Sequence, residues 1–142
     1  MSEKIIVRQD NQYRIEFEAV DPNQPDAEDF RPVQGLHEIT PYGMMLASLA
    51  TCTAQVVLSY ANHHGLDLEE VEFRVAYDRS YQDDCDDCEN IDDFDDIITE
   101  EIRFRGNLSE KEREKLFKIA HQCPIEKIFR EGIKIQSELK QS

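Results

Sequence analysis

A long stretch without a charged residue is the feature that most constrains how this chain can fold. It runs from Ile39 to Asn62. Thr40 suits the N-cap of a helix and Pro41 its first position, while Gly65 suits a left-handed C-cap. One face of this helix carries the apolar positions that step by three or four residues: Met45, Leu49, Cys52, Val56 and Tyr60. Because no face carries charge, we expect the helix to be buried on most sides.

The same stretch is long enough to cross a bilayer. It contains hydroxyl and amide side chains, among them Ser48, Thr51 and Gln55, and no basic cluster flanks it. We therefore expect the buried helix of a soluble protein and no association with a membrane. The first residues, MSEKIIVRQD, lack the basic and apolar regions of a signal peptide, which predicts a cytoplasmic location.

The net charge of −15 excludes two classes of partner. A nucleic acid requires a positive protein surface, and an anionic membrane repels an acidic one. Much of the charge lies between Asp83 and Asp96, where nine residues are acidic and none is basic. The length of 142 residues predicts a single domain covering residues 1–142. Because the apolar content is modest, we expect a second copy of the chain to complete the core as a homodimer.

Alternation of apolar and polar residues predicts β-strands on both sides of the long helix. Residues 21–35 are predicted to form a loop, and the predicted strands cover 4–9, 12–20, 69–81, 96–106 and 132–139. Ser109 opens a second helix, with Glu112 completing a capping box, and Pro124 starts a short third helix. This order of strands and helices, without an internal repeat, predicts an α+β fold.

Two cysteines lie in different helical settings. Cys52 is in the middle of the long helix, and Cys123 ends the second helix just before Pro124. Their wide separation fits neither a zinc knuckle nor a CxxC redox motif. If the fold brings them together, one thiol can be oxidised by a peroxide and the other can resolve it as a disulfide. On the pattern alone, both could equally be small residues of the core.

Three segments resemble the OsmC/Ohr family, named for osmotically inducible protein C and organic hydroperoxide resistance proteins. They are TPYGMMLASLATCTAQVVLSYANHHGLDLEEVEFRV, IITEEIRFRGNLSEKEREKLFKIAHQCPIEKIF and GIKIQSEL. A proline ahead of a mid-helix cysteine and an LSxxExxxLxxIAxxCP block are the most specific parts. The resemblance implies an OsmC-like fold, with long buried helices packed on antiparallel sheets in an intertwined homodimer.

The resemblance also implies the reduction of organic hydroperoxides by thiols, with no cofactor and with an unidentified thiol as reductant. Cys52 falls on the family's peroxidatic position and Cys123 on its resolving position. In the family an arginine activates the thiolate, and a glutamate near the start of the long helix holds that arginine.

This chain departs from the family at the glutamate. Tyr42 and Gly43 occupy the positions where it is expected, and Glu38 is the candidate substitute. For the arginine, Arg31 matches best and Arg14 is the alternative.

The candidate substrate site is apolar. Met44, Met45, Leu49 and Phe117 are the residues expected to line it. Such walls suit an alkyl chain better than hydrogen peroxide.

Cys85 and Cys88 form a CxxC inside the acidic stretch DDCDDCEN, which is similar to one OsmC-like subgroup. The surrounding carboxylates favour the protonated thiols and oppose a redox role. A zinc site would need two further ligands, from His37, His63 or His64 or from another subunit. A solvated loop is the simplest interpretation.

A second interpretation of the whole chain belongs to another class of protein. An OsmC-fold binding protein without turnover would use its dimer cleft for a small ligand, or the CxxC loop for a metal. The missing glutamate favours this interpretation, and the intact pair of Cys52 and Cys123 favours the enzyme.

Overall fold

The computed structural model describes residues 2–21, 29–81 and 94–141. Its elements are β1 (Ser2–Asp10), β2 (Ile15–Ala19), β3 (Arg31–Val33), a turn of 3-10 helix (Leu36–Glu38), α1 (Pro41–His63), β4 (Leu68–Tyr81), β5 (Phe94–Gly106), α2 (Glu110–Ala120) and α3 (Pro124–Glu131). The α+β class predicted from the sequence is confirmed. Cys85 and Cys88, with most of the acidic stretch, lie outside the described residues.

The strands form one antiparallel sheet in the order β3-β2-β1-β4-β5. One face of β4 packs into the core through Val71, Phe73, Val75 and Tyr77, as the alternating pattern predicts. The sheet therefore presents one apolar face, and α1 lies against β1 and β4 on that side.

The opposite face of the sheet carries a cluster of charges around Glu72. This carboxylate is only 2% exposed and pairs with Arg8 at 2.8 Å, Arg103 at 3.3 Å and Arg74 at 3.5 Å. Burial opposes ionisation of Glu72, but the hydrogen bond and charge of Arg8, with the other two arginines, outweigh it and lower its pKa. Glu72 is therefore expected to be ionised at neutral pH.

Helix α1 begins and ends as its sequence predicts. The Thr40 side chain accepts a hydrogen bond from the Gly43 amide at 3.1 Å, Pro41 is the first helical residue, and Gly65 has φ of +66°. By length and composition α1 could cross a membrane, but half of its apolar window is buried inside this chain. It is a core helix.

The buried face of α1 differs from the apolar stripe expected from the sequence. The fully buried residues are mostly small or aliphatic and include Leu46, Ala50, Ala54, Val57 and Ala61. Of the expected stripe only Leu49 is fully buried, whereas Met45, Cys52, Val56 and Tyr60 are partly buried. Small side chains let the helix backbone approach the sheet closely, so packing selects the alanine-rich side.

Two further expectations, for residues 21–35 and 132–139, are wrong. Part of the expected loop 21–35 forms β3, and a turn of 3-10 helix follows it. The closing strand expected at 132–139 has no regular secondary structure, and Ile133, Ile135 and Leu139 are 67%, 81% and 95% exposed. A strand needs a neighbour to receive its hydrogen bonds, and within the described part of one chain this segment has none.

Candidate functional site

Cys52 and Cys123 lie side by side where α1 meets α3. Cys123 is the N-cap residue of α3 and is 1% exposed, whereas Cys52 is partly buried on α1. Both thiols are free, and they are close enough for Cys123 to raise the pKa of Cys52. The backbone amide of Ile125, in the first turn of α3, is also close enough to affect this pKa. Pro124 starts α3 directly after Cys123. This cysteine therefore lies at the N-terminus of α3, and α3 packs against α1.

The surroundings of Cys52 favour the protonated thiol. Burial is the largest cause that raises its pKa, and the hydrogen bond to Cys123 raises it further because it holds the thiol proton. The Ile125 amide acts in the opposite direction, since it stabilises the thiolate. Among the described residues, the groups that shift this pKa include no arginine and no lysine.

The two arginines expected near Cys52 lie on the β1–β3 side of the sheet. Arg31 is on β3 and pairs with Asp21 at 3.2 Å. Arg14, in the connection between β1 and β2, pairs with Asp10 at 2.7 Å. Neither is among the groups that affect Cys52 within one chain.

Glu38 has a local role in this structure. Its carboxylate accepts hydrogen bonds from the amides of Gln34 at 2.6 Å and Gly35 at 2.9 Å. These two bonds lower the pKa of Glu38 and close the turn of 3-10 helix.

A different carboxylate, from Glu3 on β1, lies at the start of α1. Glu3 is buried and accepts a 2.6 Å hydrogen bond from the Thr40 hydroxyl. A Cβ at Gly43 would lie 3.2 Å from the Ile39 Cβ and 3.3 Å from Glu3 Oε1. An acidic side chain at position 43 would therefore be crowded and would meet a second carboxylate. Glu3 was missed because nothing local indicates that β1 passes the start of α1.

The sequence also did not predict a cluster of aromatic and charged side chains around Tyr42. The Tyr42 and Tyr77 rings stack with centroids 4.9 Å apart, and the Arg79 guanidinium lies 5.7 Å from the Tyr42 centroid. The Tyr77 hydroxyl donates to Asp96 at 2.5 Å, and Arg79 Nε lies 3.4 Å from the same carboxylate oxygen. The strand register that pairs Arg79 with Asp96 brings these groups together, and the sequence alone does not give that register. This cluster places an arginine near the first turn of α1.

A cleft of about 400 Å³ lies between α1, β5, α2 and α3. Its lining consists of Leu49, Asp96, Ile98, Glu100, Ile102, Phe117, His121, Glu126, Phe129 and Arg130. Neither cysteine lines this cleft, but its lining includes Leu49, one helical turn before Cys52, and Glu126, three residues after Cys123. Two of the four expected substrate residues, Leu49 and Phe117, therefore line one cavity.

The other two expected substrate residues lie elsewhere on α1. Met44 is exposed and Met45 is partly buried against the core. Neither is among the described residues that line this cleft.

Three titratable side chains lie close together in the cleft. Glu126 pairs with His121 Nδ1 at 3.0 Å, and the His121 ring packs edge-on against Phe117 with centroids 5.0 Å apart. Glu100 faces this pair from β5. Burial and the charge of Glu126 raise the pKa of Glu100, and His121 opposes that effect.

The histidines and carboxylates do not converge on a metal position. Within residues 2–21, 29–81 and 94–141, no group of three or more His, Cys, Asp or Glu side chains is arranged to hold an ion. The metal site considered for Cys85 and Cys88 concerns residues outside those ranges and stays a prediction.

The sequence and the fold both match known proteins. The family model described as OsmC-like protein matches residues 34–138. No curated protein sequence matches the chain at a significant level. Among solved structures, an OsmC-like hydroperoxide resistance protein from Jannaschia sp. CCS1 is similar, with a TM-score of 0.61 and 14% identity over 99% of this chain and 94% of that one. Because the family model covers well over half of the sequence, the chain belongs to the OsmC-like protein family.

Proposed function

We propose that this protein is a thiol peroxidase that reduces organic hydroperoxides through Cys52 and Cys123. The observation that carries the proposal is the proximity of two free thiols that are far apart in the sequence. Family membership and the hydroperoxide resistance named for the Jannaschia structure support the same chemistry.

The reaction begins with the Cys52 thiolate. It attacks the distal peroxide oxygen, the O–O bond breaks, and the alkoxide that leaves takes a proton to become an alcohol. Cys52 is then a sulfenic acid. The Cys123 thiol loses its proton and attacks this sulfur, which forms the disulfide and releases the hydroxyl group as water. An external thiol, still to be identified, returns both cysteines to the reduced state, and no cofactor is required.

The thiolate needs positive charge, because burial and Cys123 raise the pKa of Cys52. The Ile125 amide supplies part of it. We propose Arg31 as the activating side chain, which requires that it leave Asp21. Arg79, near the first turn of α1, is the second candidate.

The functional unit is proposed to be an intertwined homodimer in the cytoplasm. Met45, Cys52 and Val56 leave one side of α1 only partly covered in a single chain. The edge of β5 borders a groove of about 710 Å³ between β5 and α2. The closing segment 132–139 alternates apolar and polar residues and lies exposed. We propose that it forms a strand on the β5 edge of a second copy.

The substrate is proposed to contact Met44, Met45, Leu49 and Phe117. Leu49 and Phe117 already line the cleft beside the thiols. The two methionines can approach it once a second copy covers α1.

The proposal is tested with reduced protein and cumene hydroperoxide. We expect loss of peroxide together with a Cys52–Cys123 disulfide, mapped by mass spectrometry of peptides. Cys52→Ser should abolish both. Arg31→Gln and Arg79→Gln, compared with Lys111→Gln as an exposed control, should show which arginine supports the rate. Unreacted thiols in the wild-type protein would contradict the proposal.

A binding protein without turnover is the second candidate. The raised pKa of Cys52 favours it, because a protonated thiol reacts poorly with peroxide. Such a protein would use the cleft for a small ligand or the Cys85–Cys88 loop for a metal. Unreacted Cys52 together with stoichiometric zinc, measured by atomic absorption, would support this alternative.

A further inference from the structure

The two sulfur atoms of the cysteine pair differ in their access to solvent. Cys123 is 1% exposed, and it follows Leu116 and Ala120, the two buried residues of α2. Cys52 is only partly buried, on the side of α1 that a single chain leaves partly uncovered. A molecule outside the protein can therefore reach one sulfur of the pair and not the other.

The surface of α1 next to Cys52 is polar and uncharged. Ser48 and Gln55, about one helical turn before and after Cys52, are both exposed. The Ser48 hydroxyl donates to the Met45 carbonyl at 2.7 Å, so it is turned toward the helix backbone. A thiolate that approaches Cys52 along this surface meets no charge on α1. A second copy packed on α1 must leave this path open, since the hydroperoxide of the proposed function needs it.

The direction of thiol–disulfide exchange turns this difference in access into a choice between the two sulfurs. A thiolate attacks a disulfide sulfur roughly in line with the S–S bond, from the side opposite the sulfur that leaves. Attack on Cys52 therefore comes from the open side of α1. Attack on Cys123 would have to come from the side that faces away from Cys52, where burial closes the path.

We propose that the thiol that reduces the Cys52–Cys123 disulfide attacks Cys52, so that Cys52 carries both the sulfenic acid and the mixed disulfide. The inference rests on the proposed function, since it assigns the point at which the reductant enters that reaction. The reductant thiolate forms a bond to the Cys52 sulfur and the bond between the cysteines breaks. The Cys123 sulfur leaves with the electron pair and takes up a proton.

A second thiolate completes the reduction. It attacks the reductant's sulfur in the mixed disulfide, and the Cys52 sulfur leaves with the electron pair and becomes free for the next peroxide. Two thiols of the reductant are thereby oxidised to one disulfide, and their two protons replace those lost from the cysteine pair. Cys123 takes part only as the group that leaves.

The position of Cys123 suits that role. It is the N-cap of α3, and its side chain makes no capping hydrogen bond. The amides in the first turn of a helix have no partner within the helix and favour a negative charge. The charge that develops on the Cys123 sulfur as the bond breaks therefore forms where the backbone stabilises it.

The test locates the mixed disulfide. A variant with Cys85→Ser and Cys88→Ser keeps only the two cysteines of the pair, and diamide joins them without a peroxide. The oxidised protein is mixed with glutathione, sampled before reduction is complete, and quenched with excess N-ethylmaleimide. Peptide mass spectrometry then shows which cysteine carries glutathione and which carries the maleimide. We expect glutathione on Cys52 to exceed glutathione on Cys123 by about tenfold or more.

The same reaction in concentrated urea is the matched control. Unfolding exposes both sulfurs, so we expect the preference for Cys52 to fall to near equality. Equal labelling of the two cysteines in the folded protein, or glutathione mainly on Cys123, would overturn the inference. A preference of the same size in urea would also overturn it, because burial would then not be the cause.

The use of diamide separates this inference from the proposed function. Glutathione on Cys52 in a protein that consumes no cumene hydroperoxide would support the inference and refute the peroxidase. Consumption of the peroxide together with glutathione on Cys123 would do the reverse. Failure of diamide to join Cys52 to Cys123 would overturn the inference, whether or not peroxide is consumed.

Discussion

The Ile125 amide lowers the pKa of Cys52, and Ile125→Pro removes this effect. Proline has no N–H and is tolerated in the first turn of a helix, where Ile125 lies. A hydrogen bond to a charged group contributes about 1.5–3 kcal/mol, and one pKa unit corresponds to about 1.4 kcal/mol. Because Cys52 is only partly buried, solvent weakens this bond. We therefore expect the lower end of the range, a rise of about 1 unit in the pKa of Cys52.

The assay is the rate of iodoacetamide alkylation of the Cys52 peptide, followed by mass spectrometry as a function of pH. Ile125→Ala is the control, because it shortens the side chain and keeps the amide. We expect the pH midpoint of alkylation to move upward in Ile125→Pro and to stay near the wild-type value in Ile125→Ala. Equal midpoints in the two variants would refute the role assigned to the amide.

Three further predictions concern stability and assembly. Glu72→Gln should reduce the free energy of unfolding at neutral pH by about 2 kcal/mol, because three arginines lose a buried partner that solvent screens only in part. Since the folded-state pKa of Glu72 is lowered, its contribution is present above the unfolded pKa and is lost as the pH falls, so urea unfolding of the wild type should converge with that of the variant in acid. Leu46→Ala, at a fully buried position of α1, should cost about 3 kcal/mol in the same assay. Deleting residues 132–142 should convert the proposed homodimer to a monomer in sedimentation analysis, and a dimer that persists would contradict the proposed strand exchange.

The local signals in the sequence predicted the local structure well. Thr40 and Pro41 start α1, and Ser109 with Glu112 forms the capping box of α2, because caps depend on residues three positions apart. The core face of β4 also followed from alternation. Each of these features is decided within a few residues of the chain.

Features that depend on distant parts of the chain were harder to predict. The buried side of α1 is chosen by the close approach of Ala50 and Ala54 to the sheet, which a helical periodicity does not encode. The segment 132–139 has strand-like alternation but no neighbour within the described chain. Alternation can propose a strand, but only tertiary contacts provide its hydrogen bonds.

The candidate site shows the same division. Cys52 and Cys123 could be singled out from the sequence, because Cys52 lies in an uncharged helix and Cys123 directly precedes the helix-starting Pro124. Glu3 and Arg79 could not, because their positions beside α1 follow from strand order and register. Leu49 and Phe117 line one cleft because both belong to apolar helix faces that pack around it, and their contact with a substrate stays a prediction.

Trapping of a sulfenic acid tests the central claim most directly. Dimedone is added to the reduced Cys123→Ser variant during exposure to cumene hydroperoxide, and the adducts are located by mass spectrometry. We predict a dimedone adduct on Cys52 in this variant and its replacement by a disulfide in the wild-type protein. Adducts confined to Cys85 or Cys88, or no adduct while the peroxide is consumed, would contradict the account.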